Sequence, residues 1–168
     1  MSTNEKREEK EILGPFERGL ELVVVPMMGL LFAFLLAHQR AGTGFFTARF
    51  GTLEQVCLYG PIFVAMLAPV VRALTGRRNP GRLFEAAANL SLAAGSLWLL
   101  IRFPFDFTHL ADVLPAALRF VLAWVPDLVG WMLMFGQVVI GPISALLLVL
   151  KYFRVQRAAP GSPAVARG

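Results

Sequence analysis

Residues 128–150 read LVGWMLMFGQVVIGPISALLLVL, and no charged side chain interrupts them. A bilayer's hydrocarbon core is crossed by a helix of roughly 20 apolar residues, so the stretch predicts a transmembrane helix. Three further segments follow the same pattern: LELVVVPMMGLLFAFLLA at 20–37, LEQVCLYGPIFVAMLAPVV at 53–71 and LFEAAANLSLAAGSLWLLI at 83–101. Pro26, Gly29, Pro61 and Pro69 lie inside them; transmembrane helices tolerate such residues because neighbours satisfy the freed backbone groups. The first segment is long for a signal peptide's apolar region. No small-x-small cleavage site precedes His38-Gln39-Arg40, so a retained anchor is expected. The fold class that follows is an all-α integral membrane protein, a four-helix transmembrane bundle.

Composition agrees. Of 168 residues, 57% are hydrophobic and 16% charged, and the mean hydropathy is +0.63. A soluble domain is nearer half apolar and a quarter charged. Such a chain has too few polar side chains to cover its own apolar surface, and four spans leave no room for a sizeable soluble domain. The net charge of +5 lies beside apolar segments, which points to topology and lipid contact rather than nucleic acid. The single Cys57 excludes an intrachain disulfide and reads as a buried thiol.

The Lys and Arg residues orient the spans. The five segments outside them carry, in chain order, four, two, four, two and four. Positive charge favours the cytoplasm, so an even number of spans places both termini there. Trp98, Trp124 and Trp131 fall near the opposite interface, and Tyr152 near the inner one. Residues 1–11 and 154–168 read as disordered tails, and 12–153 as one membrane domain. A short interfacial lead-in is expected around Ile12, Leu13 and Phe16. The segment 102–127 is too apolar for an ordinary loop. Leu118, Val121, Leu122 and Val125 recur at helical spacing, so 115–125 is expected to be an interfacial helix between spans three and four.

Three groups of residues could carry function. Asp106, His109 and Asp112 recur at three-residue spacing and would share one helical face, a weak candidate for metal binding; the expectation is no metal and no cofactor. Glu21, Glu54 and Glu85 lie near span ends. The deeper polar residues, Asn89, Ser91, Ser96, Gln137 and Ser144, are neutral and suit helix–helix hydrogen bonds, with Gln137 opposite Asn89 if depth allows. Finally, Ala87, Ser91 and Gly95 form a small-residue ladder, and Gly141 and Ala145 a shorter one; such ladders let helix backbones approach closely. No catalytic constellation or phosphate loop is present.

The expectation is a non-catalytic subunit or assembly partner of a membrane complex, bound to lipid and to other membrane proteins or to itself. The alternatives are a transporter subunit or, further off, a membrane enzyme using the 106–112 segment. Size, four spans and inside termini resemble the small membrane subunit of tripartite (TRAP-type) dicarboxylate transporters. The segment ARFGTLEQ, with Arg49 and Glu54 before span two, is similar to the Arg and acidic positions of that family, with Leu53 where the family has tryptophan. The alanine, arginine, leucine and glycine bias is that of a GC-rich bacterial genome, which implies the cytoplasmic membrane.

Overall fold

A computed structural model describes residues 11–158. Most of the expected tails, 1–10 and 159–168, lie outside these residues. The described chain is helical: α1 spans Pro15–Ala41, α2 Thr52–Thr75, α3 Arg78–Arg102 and α4 Asp127–Ala158. All four are long and apolar enough to cross a membrane, and each contains one of the spans read from the sequence.

Local chemistry sets the helix ends. Pro15 opens α1 with its fixed φ, and the Glu17 carboxylate accepts the Gly14 N–H at 3.1 Å. Glu54 does the same for the Gly51 N–H at 3.0 Å at the start of α2. α1 and α2 stop at Gly42 and Gly76, both left-handed, with φ of 59° and 63°. α3 ends differently. Phe103 takes a φ of 36°, a conformation that side chains with a Cβ rarely adopt. Its ring lies 5.6 Å from Trp131 and 6.0 Å from Phe105, so aromatic packing holds the turn.

Several boundaries move. Of the expected lead-in residues, Phe16 belongs to α1 itself, while Ile12 forms an isolated bridge with Arg77. α4 runs on to Ala158, past the expected start of the tail at 154. The expected interfacial helix at 115–125 is shorter and tighter, a 3-10 turn over Ala116–Val121, preceded by another at Phe107–His109. Its apolar face is split: Leu122 and Val125 pack on the core, while Leu118 and Val121 are about half exposed.

The helices form an open row. α1 packs on α2, α2 on α3, and α3 on α4, and α1 makes no extended contact with α4 that would close a ring. Small residues permit the close approaches within the row. A Cβ on Gly95 would lie 2.3 Å from the Cys57 carbonyl oxygen of α2, and one on Gly141 would lie 2.9 Å from the Asn89 carbonyl oxygen of α3. Small buried residues such as Ala68, Ala86 and Ala93 continue along the row, but the main cluster of large buried side chains does not. Leu35, Phe45, Ile62, Leu99, Phe105 and Leu110 gather it toward one end, where 42–51 and 103–112 also meet. The rest of the row is apolar outside: Leu30 is 71% exposed and Met132 65%. Contiguous apolar surface on this scale belongs in lipid rather than water.

Candidate functional site

The two ends of the row hold the polar chemistry. At the aromatic end the chain from α1 to α2 meets the chain from α3 to α4. The Thr47 N–H donates to the Pro104 carbonyl at 3.0 Å, and the Asp106 N–H to the Phe45 carbonyl at 2.8 Å. Phe45, Phe46, Phe50, Phe105 and Phe107 pack around this bridge, with Phe46 and Phe50 stacked at 4.0 Å between centroids.

His38 anchors α1 to that assembly. It is 1% exposed. Its Nε2 lies 3.1 Å from the Leu110 carbonyl, and its Nδ1 lies 2.7 Å from the Thr43 hydroxyl. A carbonyl only accepts, so Nε2 carries the proton and Nδ1 accepts from Thr43. Glu54, 5% exposed, accepts the Trp98 indole N–H at 3.0 Å, with the Arg102 guanidinium 3.6 Å away. The sequence gives Trp98 no visible tie to Glu54, since they are 44 residues apart. Arg49, the other residue of the ARFGTLEQ resemblance, is exposed.

Asp106, His109 and Asp112 do not converge. Asp106 accepts from the Thr108 hydroxyl and N–H, which holds its pKa below the ordinary carboxylate value. Any stability this adds is complete above the unfolded-state pKa and is lost as pH falls through the lowered one. His109 Nδ1 instead meets Asp112 at 2.7 Å, and both side chains are well exposed, at 44% and 39%. Among the described residues no three His, Cys, Asp or Glu side chains are placed to hold a metal. Two substitutions separate the histidines. His38→Leu should destabilise by about 1–3 kcal/mol through the orphaned Leu110 carbonyl and Thr43 hydroxyl. His109→Ala should stay within about 0.5 kcal/mol and leave metal content unchanged. Thermal unfolding and elemental analysis of both variants check this; zinc lost with His109 would reverse the assignment.

The other end is ionic. Glu11 meets Arg82 at 2.6 Å, Glu17 meets Arg78 at 2.6 Å, and Glu21 meets Arg72 at 2.9 Å. Numbers rise on one side and fall on the other, so the pairs form an antiparallel ladder that ties the start of α1 to the α2–α3 turn. Arg72 also reaches Glu85 at 2.7 Å; its Nε sits close to Glu21 without pointing at it as a hydrogen bond. The Leu13 N–H donates to the Gly76 carbonyl at 2.9 Å, and Leu13 is buried beneath. The sequence carried no spacing signal for this ladder: Glu11, Glu17 and Glu21 and Arg72, Arg78 and Arg82 are each spaced by six and then four residues in chain order, so the gaps do not match when the pairs run antiparallel.

The ladder residues on α3 have different settings. Gly95 is buried against α2, Ser91 is half-buried with its hydroxyl donating to the Ala88 carbonyl at 2.9 Å, and Ala87 is exposed. On α4, Gly141 and Ala145 are both buried, and Gly141 lies against α3. Gln137 and Asn89 make no hydrogen bond to each other. No known protein family matches the chain, and neither does any curated protein or solved structure.

Proposed function

We propose that this chain is a non-catalytic multi-pass subunit or assembly partner in a bacterial cytoplasmic membrane, with both termini in the cytoplasm. The open row carries this reading. Leu83, Ala87, Leu90, Ala94, Leu97 and Ile101 are all exposed on α3, the helix already flanked by α2 and α4. They recur in steps of four and three, the spacing by which one helix packs a second along a continuous seam, and Ala87 and Ala94 let that second backbone come close. The 3-10 turn over Ala116–Val121, with exposed Phe120 in it and exposed Trp124 just after, suits the outer interface of the bilayer.

The test is capture from membranes in mild detergent. A stripe variant, Ala87→Trp with Ala94→Trp, should lose at least about tenfold of the captured partner, or of self-association, an effect of roughly 1.4 kcal/mol. Leu146→Trp, on exposed α4, should lose none. Equal capture by all three proteins would remove the seam from the argument. Orientation has its own check. Reporter fusions at Gly76 and at the C-terminus should report the cytoplasm, and fusions at Gly44 and Thr108 the outside; an external C-terminus would overturn the four-span topology.

The transporter reading rests on layout and on the Arg49 and Glu54 positions. A gene for a large multi-span transporter subunit beside this one would favour it. An enzyme would need the 106–112 segment, where Asp106 stands apart from the His109–Asp112 pair.

A further inference from the structure

A groove of about 290 Å³ runs beside the first turns of α1 and is lined by Leu13, Glu17, Leu20, Glu21, Val24 and Arg78. Its two halves differ. Leu20 and Val24 lie on one face of α1 and lead toward the apolar length of the helix. Glu17 and Glu21, one turn apart, stand with Arg78 at the charged end. Glu17 and Arg78 are each about two-fifths exposed, so their outer atoms are open to a ligand. The ion pairs leave capacity, since a carboxylate has about four lone-pair sites. Glu17 uses Oε1 for Arg78 and Oε2 for the Gly14 N–H, while Glu21 meets Arg72 through Oε1.

We propose that this groove holds one phospholipid whose headgroup carries a protonated primary amine and no net charge, an ethanolamine type. This rests on the membrane-spanning reading above. Charge complementarity selects the headgroup. An ammonium has three N–H donors for Glu17 and Glu21, and the phosphate beside it lies toward the Arg78 guanidinium. A choline headgroup has no N–H to donate. A glycerol headgroup can offer its phosphate to Arg78 but brings no ammonium to Glu17 and Glu21. The acyl chain follows Leu20 and Val24 along α1, whose extended helix packing is against α2 while Glu17 reaches across to Arg78 of α3.

The test uses the full chain, delipidated in detergent, with dioleoyl phosphatidylethanolamine, phosphatidylcholine or phosphatidylglycerol added and bound lipid counted by native mass spectrometry. Phosphatidylethanolamine should be preferred by about fivefold over each of the others, the scale of one charge-assisted contact. Leu20→Trp fills the apolar half and replaces no charged residue. It should abolish the preference while the lipid-free unfolding temperature stays unchanged, and Leu146→Trp should keep the preference. Equal binding of the three lipids, or a preference that survives in Leu20→Trp, would overturn the proposal. Soluble O-phosphoethanolamine at matched concentration should not displace the lipid; displacement would also overturn it, pointing to a small free ligand instead. Carbonate washing of cell membranes separates the two readings: release of the chain would defeat the membrane reading itself, whereas retention with no lipid preference would defeat only the lipid site.

Discussion

Replacing Gly95 by leucine should destabilise the protein by about 3 kcal/mol, the upper part of the range for overpacking a tight contact. The obstacle is backbone. A Cβ at this position would lie 2.3 Å from the Cys57 carbonyl oxygen, inside any real contact distance, and α2 cannot yield there as the tip of a flexible side chain could. Even Gly95→Ala should cost about 1 kcal/mol or more for the same reason. Ala87→Leu, two turns earlier on the same ladder, should change stability by less than about 0.5 kcal/mol, because Ala87 is exposed. Thermal unfolding in detergent measures all three, and a shift of several degrees is expected for Gly95→Leu. If Gly95→Leu were as mild as Ala87→Leu, α2 and α3 would not approach as described.

Arg82→Met should be the most damaging single change at the ionic end, at about 3–5 kcal/mol. The Arg82 side chain is 6% exposed and its partner Glu11 19%, so removing the guanidinium strands a largely buried carboxylate. Arg78→Met breaks a pair of the same length, but its members are 42% and 44% exposed; water and salt replace such a partner at a cost of about 1 kcal/mol or less. The double variant Glu11→Leu with Arg82→Met removes both charges and should recover most of the loss, since apolar residues often replace a buried pair without penalty. Chemical denaturation of the wild type, Glu11→Leu, Arg82→Met and the double variant forms the cycle. A double variant no better than Arg82→Met alone would show that the arginine acts through something other than Glu11.

The position of each helix was legible in the sequence because crossing a bilayer demands uninterrupted apolar length, and that is a one-dimensional property. The runs at 20–37 and 128–150 needed no tertiary information. The candidate sites were less legible. Asp106, His109 and Asp112 share a face only if 106–112 is one regular helix, and the chain there breaks into a 3-10 turn after Asp106. Ala87, Ser91 and Gly95 do share a stripe of α3, yet a stripe spans a wide arc, and of the three only Gly95 is buried, against α2.

By itself, then, the sequence determined four helices of membrane-crossing length, their order and the polar segments between them, since hydropathy and charge act locally along the chain. Only the tertiary structure decided which helices touch. It opened the row rather than closing it, placed the core among the phenylalanines at one end, and buried His38 against the Leu110 carbonyl, 72 residues away. It also drew Glu11, Glu17 and Glu21 onto Arg82, Arg78 and Arg72. These pairings depend on how far one helix lies from another. In a chain whose outer surface is as apolar as its helix contacts, hydropathy carries no record of that distance; close packing of small residues and the matching of opposite charges set it.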